Sequence, residues 1–304
     1  MSTLESPAVI PGALHVVATP IGNLADLSPR ARAVLAGVDV VAAEDTRHSG
    51  QLLQQFGIQA RLVALHEHNE AQASQALLGR LQEGASVALI SDAGTPAVSD
   101  PGARLVALAH AHQVPVLAIA GPSALTAAIS VAGMGALPIS FHGFLPARAK
   151  ARQQLLGGLA AQPGTLVFYE APHRIEEMVA DLAQILGGAR TVVLARELTK
   201  RFESSHRCPL DQASAWLAAD ADHRRGEFVV VVEGAPEDAV EDPLGEGQRV
   251  LAVLRESLSL SEAVRLAARI SGANRSALYA WAQAAAERPA DGEGEGDSEP
   301  GSSP

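Results

Sequence analysis

The sequence predicts an α/β protein with two sheet domains and a small helical region after them. Three observations predict it. Four apolar runs stop abruptly at loops of small residues and prolines: His15–Ala18, Val87–Ile90, Val116–Ala120 and Leu166–Tyr169. Helical patterns alternate with such runs, which implies a mainly parallel sheet. Near the end, Leu260–Trp281 reads as two short amphipathic helices separated at Ser271-Gly272.

Taken in order, residues 1–13 lack periodicity and read as a mobile N-terminus. Residues 14–121 read as an N-terminal α/β domain. Its strands fall at His15–Ala18, Val38–Ala42, Leu62–Leu65, Val87–Ile90 and Val116–Ala120, and its helices at Pro29–Leu35, Glu70–Glu83 and Pro101–His112. Residues 122–234 read as a second α/β domain. Its strands are Phe141–Phe144, Leu166–Tyr169, Val192–Ala195 and Phe228–Val232, and its helices Ser123–Val131, Ala147–Leu159, Ile175–Leu186 and Asp211–Ala219. Residues 235–247 are acidic, contain Pro and Gly, and read as a linker. Residues 248–288 hold the helical pair, with Ser261 and Asn274 as N-caps. The pair is helix-turn-helix-like and offers Arg265, Arg269 and Arg275 to phosphates. A plain helical hairpin packed on the second domain is the alternative. Residues 289–304 are disordered by composition.

Bulk properties narrow the function. Cys208 is the only cysteine, which excludes an internal disulfide and a cysteine-based zinc cluster and fits a reducing cytoplasm. Residues 1–10 have no basic segment of the signal-peptide kind. Residues 113–147 contain no Asp, Glu, Lys or Arg, but Pro115, Gly121-Pro122, Gly133, Gly135 and Pro138 break them up. A buried strand, a turn and a buried helix are expected there instead of a membrane span. The net charge is −11. Six acids from Glu233 to Glu246 and five from Asp291 to Glu299 lie in stretches free of Lys and Arg. Without them the chain has as many acids as bases, so basic patches remain possible on its body.

The loop Ser91-Asp-Ala-Gly-Thr-Pro-Ala-Val-Ser-Asp-Pro-Gly102 is the richest in signal. A strand that ends in such a loop presents backbone N–H and C=O groups at one place, and small residues let a ligand come close. Ligands of open α/β sheets bind at the C-terminal edge, where this loop and three others belong. The dinucleotide and P-loop signatures are missing.

Ionisable clusters follow other strands. Glu44-Asp45-Thr46-Arg47 offers two proton acceptors, Glu44 and Asp45, and a phosphate-binding Arg47. A salt-bridged loop is the structural alternative. His66-Glu-His-Asn69 puts His66 and His68 on one face, with Asn69 beside them. The pair invites a metal, but a third ligand is not evident, so substrate contact is expected before a metal, with a structural role as the alternative. Arg196 and Lys200 mark a charged strand end in the second domain. Arg174 is a further phosphate candidate.

Together the motifs resemble the tetrapyrrole methylase superfamily. They are Thr19-Pro-Ile-Gly-Asn-Leu-Ala-Asp26, Ala43-Glu-Asp-Thr-Arg47, His66-Glu-His-Asn69, Ser91-Asp-Ala-Gly-Thr-Pro96, Gly121-Pro-Ser-Ala124, Phe168-Tyr-Glu170, His173-Arg174 and Ala195-Arg-Glu-Leu-Thr-Lys200. Single motifs are weak; all of them in this order are specific. The likeness is greatest to the branch that methylates the ribose 2′-hydroxyl of a cytidine in the decoding centre of 16S rRNA. The resemblance implies a two-domain tetrapyrrole-methylase-like fold, S-adenosylmethionine as the methyl donor, the small ribosomal subunit as partner, and a homodimer. It implies donor contacts at Pro20, at Ala93, Gly94 and Thr95, at Val98, at Ser123 and Ala124, and at Tyr169 and Glu170, with Glu197-Leu198 as further candidates. The tetrapyrrole branch commonly has Asp-Pro where this chain has Thr95-Pro96, which argues against a porphyrinoid acceptor. A tetrapyrrole methyltransferase and a non-catalytic RNA-binding assembly factor are the alternatives.

Methyl transfer to a hydroxyl needs oxygen, carbon and sulfur in line, and alignment is the largest contribution an enzyme makes to it. A ribose hydroxyl is a poor acid, so a nearby base or cation helps, typically by about 10²–10⁴-fold. Glu44 or Asp45 as base, and Lys200 or Arg47 as cation, are the candidates.

Overall fold

A computed structural model describes residues 9–134, 138–236 and 243–286. The chain divides into two compact units, 1–235 and 236–304. The first unit contains two five-stranded sheets. In chain order the first sheet and its helices are β1 (Leu14–Val17), α1 (Pro29–Gly37), β2 (Val40–Ala43), α2 (Thr46–Gln55), β3 (Leu62–Ala64), α3 (Glu70–Gln82), β4 (Val87–Ile90), α4 (Ala103–Ala111) and β5 (Val116–Ile119). The strand order is β3-β2-β4-β1-β5, with every pair parallel. Parallel strands covered on both faces are apolar throughout, and β2 and β4 are buried along their whole length. Leu89 packs on one face with Leu14, Leu77 and Leu105, while Ile90 packs on the other with Val34, Leu35 and Leu53.

The second sheet is built from α5 (Ala124–Ala132), β6 (Ile139–Phe144), α6 (Ala149–Leu159), β7 (Thr165–Glu170), α7 (Ile175–Leu186), β8 (Thr191–Arg196), β9 (Ser204–Pro209), α8 (Leu210–Ala219) and β10 (Phe228–Val232). Its order is β6-β7-β10-β8-β9. The β6–β7 pair is parallel and the other three pairs are antiparallel. Phe168, Met178, Leu194 and Val230 sit in the core between this sheet and α6, α7 and α8. Arg152 is buried there and kept in place by Asp181 at 2.6 Å.

The second unit is a cluster of α9 (Pro243–Leu254), α10 (Leu260–Ser271) and α11 (Arg275–Ala286) around Leu251, Val264, Ala267 and Leu278. Gly247 permits the close approach: a Cβ there would lie 2.9 Å from Leu278 Cδ2 and 3.0 Å from Ala273 Cβ.

Several expectations need correction. Residues 9–13 are packed: Gly12 donates its N–H to the Gly84 carbonyl and Ala13 is fully buried. Residues 1–8 and the acidic tail lie outside the described residues. Helix α2, which the sequence reading did not include, follows β2 where a salt-bridged loop was the structural alternative, because Asp45 accepts from the Arg47 and His48 amides as an N-cap. Strand β9 was not expected. It is a polar edge strand, with only Cys208 fully inside, so it has no apolar signal. The linker expected at 235–247 ends at Pro243, where α9 begins; its two glycines hide the helix from a propensity reading. Helix α10 starts one residue after Ser259, so Ser261 is inside the helix, whereas Asn274 does cap α11 by accepting from the Ser276 and Ala277 amides. The uncharged stretch 113–147 holds β5, α5 and β6, with 135–137 outside the described residues. Among the described residues no helix is long and apolar enough to cross a membrane.

Candidate active site

The loops after β1, β4 and β5 are joined to one another by hydrogen bonds, and strand β7 is tied to the start of α5. Thr19 donates its N–H to the Gly94 carbonyl at 2.9 Å, and Gly94 donates back to the Thr19 carbonyl at 3.0 Å. The Thr19 hydroxyl donates to the Ser91 carbonyl at 3.1 Å. The Thr95 hydroxyl donates to the Pro122 carbonyl at 3.1 Å, linking the β4 and β5 loops. The Tyr169 hydroxyl accepts from the Leu125 amide at 3.1 Å, linking β7 to the start of α5. Between these loops lies a cleft of about 530 Å³. That size suits a small organic ligand.

Backbone strain concentrates at this cleft. Among the described residues, five non-glycines have a positive φ. Ala97 (65°) and Ser99 (66°) lie in the β4 loop, and Glu197 (51°) and Thr199 (66°) in the loop after β8. Such strain costs about 1–3 kcal/mol per residue and persists where the surroundings enforce it. Gly94 (φ +84°) and Gly102 (φ +125°) adopt backbone conformations of the same left-handed kind.

The walls are apolar at Ile21, Val98, Ala124, Leu198, Phe228 and Val229. The polar part is mainly acidic: Glu44, Asp92, Asp100, Glu170, Glu197 and Glu227 face Lys200 and His173. Burial, then the charges of Asp100 and Asp92, push the Glu44 carboxyl above its ordinary range. Burial does the same to Asp100 and to Glu170. Glu170 accepts from the Ala171 amide through Oε1, but its buried Oε2 has no partner. Arg174 Nε stands 3.3 Å from Oε1, yet burial outweighs that pairing, and a further cation entering the cleft stabilises the ionised form.

Lys200 is fixed in place. Burial lowers its affinity for a proton, but hydrogen bonds to Glu197 and Glu227, each 2.8 Å from Nζ, outweigh that and raise its pKa. It is a permanent cation and therefore no proton acceptor. Its stem lies across the β1 loop: a Cβ on Gly22 would lie 2.3 Å from Lys200 Cγ.

Ala93, Gly94, Thr95, Val98, Ser123, Ala124, Tyr169 and Glu170 all line the cleft, as do Glu44, Lys200, Glu197 and Leu198. Pro20 does not; its neighbour Ile21 does. The remaining sequence candidates do not line it either. Asp45 is occupied as the α2 cap, and those backbone amides hold its carboxyl below the usual range. Arg47 is exposed and paired with Asp45 at 3.5 Å. Asn69 holds its own turn, accepting from the His66 amide at 2.9 Å and donating to the Ala64 carbonyl at 3.1 Å. His66 and His68 stand 6.1 Å apart by ring centroid. Among the described residues no group of three or more His, Cys, Asp or Glu could hold a metal ion. Arg174 is engaged with Glu170 and the Leu145 carbonyl, and Arg196 with Ser204 and the Arg225 carbonyl.

Sequence reasoning missed Asp92, Asp100, Gly22 and Glu70. The two aspartates lie inside the motif already singled out, and their loop position was the available signal. Glu70, the first residue of α3, accepts from the Gly102 amide at 2.9 Å and the Arg104 amide at 3.3 Å, so it anchors the far end of the β4 loop. No pattern in the sequence joins those positions.

Residues 13–214 match the family Tetrapyrrole (Corrin/Porphyrin) Methylases, and residues 241–286 match the RsmI C-terminal HTH domain. The chain is 52% identical over 270 residues to "Ribosomal RNA small subunit methyltransferase I" of Xylella fastidiosa, covering 88% of this chain and 98% of that one. It is 48% identical to the protein of the same name from Escherichia coli O157:H7, covering 89% and 94%. Among solved structures it resembles diphthine synthase (TM-score 0.57, 18% identity, 73% of this chain and 90% of that one) and the methyltransferase CobJ (TM-score 0.55, 18% identity, 74% and 95%). These structural likenesses reach the fold of the two-sheet unit. The cleft, its converging loops and the extent of the sequence match establish that the chain belongs to the tetrapyrrole methylase family, within its ribosomal RNA small subunit methyltransferase I group.

Proposed function

We propose that this enzyme transfers a methyl group from S-adenosylmethionine to the ribose 2′-hydroxyl of a cytidine in the decoding centre of 16S rRNA. One observation carries the donor side: a cleft with apolar walls holds several carboxylates, and burial pushes three of them, Glu44, Asp100 and Glu170, toward the protonated state. When bound, S-adenosylmethionine supplies a methyl carbon made electrophilic by a sulfonium charge. Ile21, Val98 and Val229 exclude water around it. Backbone groups of Ala93–Thr95 and Ser123-Ala124 are at the loop tips and available to its polar ends. Glu170 and Asp100 supply negative charge to a cationic ligand.

On the acceptor side, Glu44 is the proton acceptor. Its raised pKa brings it closer to the hydroxyl it serves than an ordinary carboxylate is. Asp45 sets the start of α2 and hence the position of Glu44. Lys200 remains protonated and stabilises negative charge as it develops on the ribose oxygen. Exposed Arg47 is free to turn from Asp45 to an RNA phosphate, since a surface pair of this kind is weak. His66, His68 and Arg196 lie outside the cleft lining and have at most an outer role in binding rRNA. The two lobes, 14–121 and 122–234, close on the donor from opposite sides, and the working form is a cytoplasmic homodimer. Thr95 favours RNA over a porphyrinoid acceptor: its hydroxyl donates to Pro122, a bond that an ionised Asp cannot make.

The test is methylation of small subunits from a strain that lacks the activity, followed by mass spectrometry of the nucleosides. A single 2′-O-methylcytidine in 16S rRNA is expected. A methyl on a base, or none on RNA while a tetrapyrrole is methylated, overturns the reading.

A further inference from the structure

The chain has six Phe, two Trp and two Tyr. One of these, Phe144, lines the cleft and is 55% exposed. An aromatic ring left in water at the rim of a ligand cleft calls for a reason, since burial would stabilise it. The backbone takes trouble to put it there. The β6–β7 ladder runs in register to Phe141, shifts, and resumes at Phe144 opposite Tyr169. Gly143 sits in the shift at φ +61°, where a Cβ would lie 2.8 Å from Ser99 Oγ of the strained β4 loop. Such a bulge re-aims a side chain. The Phe144 ring then meets Tyr169 edge-on, with centroids 5.7 Å apart, and Tyr169 is itself fixed by the Leu125 amide. Arg174 binds the carbonyl of Leu145, which holds the chain just past the ring.

Two facts say what comes to this ring. Strand β6 is the edge of its sheet, and Phe144, its last residue, is both in the cleft lining and open to solvent. Arg148 and Lys150 follow at once, both exposed and with no ion pair among the described residues. An exposed aromatic next to free cations is the chemistry of a single-stranded nucleic acid site: the ring takes the face of an unstacked base and the cations take phosphates. An acceptor ribose inside a folded subunit must leave its stack to reach an enclosed cleft.

We infer that Phe144 is the stacking platform for the base of the acceptor nucleotide, with Arg148 and Lys150 holding the flanking phosphates. The inference rests on the RNA-methylating function proposed above. It adds the residue that receives the extruded nucleotide.

The experiment compares wild type, Phe144→Ala, Phe144→Trp and the double variant Arg148→Ala/Lys150→Ala. Each is assayed on small subunits lacking the methyl group and titrated calorimetrically with S-adenosylmethionine. Loss of base stacking should lower kcat/KM for the subunit by roughly tenfold or more in Phe144→Ala. Donor affinity should stay unchanged, and Phe144→Trp should restore activity. The double variant should raise KM for the subunit and flatten its salt dependence. Unchanged kcat/KM in Phe144→Ala overturns the inference. So does a donor affinity that falls as far as kcat/KM, because the ring would then face the donor's adenine. A wild type that binds donor but methylates no RNA removes the function itself, and this inference falls with it.

Discussion

After β3 the chain turns through His66-Glu-His-Asn69; after β4 it turns through Ser91–Gly102. Both follow a strand of the same parallel sheet, and both are rich in polar residues. The first turn uses its Asn69 on itself, with both ends of the amide bonded to local backbone, while the buried His66 Nδ1 has no hydrogen-bond partner. The second leaves Asp92 and Asp100 facing a cleft and holds Ala97 and Ser99 in strained conformations. A polar turn whose side-chain amide ties its own backbone is a structural device. One that holds strain and unpaired charge is arranged for a ligand. The first turn still serves the second, because α3 starts there and its Glu70 holds the Gly102 amide.

The comparison can be broken at several points. Glu44→Gln should lower kcat by about 10²-fold or more with the donor still bound, as removal of a general base does; single-turnover methylation checks it, and an undiminished rate refutes the role. Gly22→Ala should push the Lys200 stem aside and cost roughly 10²-fold in turnover, the usual effect of a displacement of about 1 Å in a catalytic group. Gly102→Ala meets Leu89 Cδ2 at 2.7 Å and a φ of +125°, so it should destabilise the fold by roughly 1–3 kcal/mol, read by thermal unfolding. Asn69→Ala should cost stability of about 1 kcal/mol and leave donor affinity alone, which separates the two turns directly.

The smallest effect expected is on pH. Asp100 and Glu170 hold protons to a higher pH than ordinary carboxylates, chiefly through burial. A cationic ligand binds their ionised forms. Donor affinity should therefore fall on acidification, starting above the usual carboxylate range. The demethylated product lacks the sulfonium charge and should lose less. Parallel pH curves for the two ligands would count against the carboxylates as the source of donor affinity.

Much of this was legible in the sequence. The runs Val87–Ile90 and Phe228–Val232 are strands with the expected ends, because central strands are apolar on both faces. Every residue that the resemblance implied at the donor lines the cleft except Pro20. What escaped detection depends on contacts distant in sequence. The strand β9 stabilises itself through the β8 ladder and not through apolar side chains. The α2 helix was disguised by its own cap, since Asp45 looks catalytic until its carboxylate is seen on the Arg47 and His48 amides. The outcome for Arg174 and Arg196 was also hidden, since a sequence does not say which arginine has already been spent on a carbonyl.

The most direct measurement is a calorimetric titration of the full chain with S-adenosylmethionine, wild type beside Gly94→Val and His68→Ala. Gly94 pairs with Thr19 at φ +84°, so a branched side chain there should disrupt the joined loops. The account predicts saturable one-to-one binding in the wild type and in His68→Ala, and severe weakening in Gly94→Val with the fold retained. No heat in the wild type, or equal affinity in a folded Gly94→Val, would contradict it.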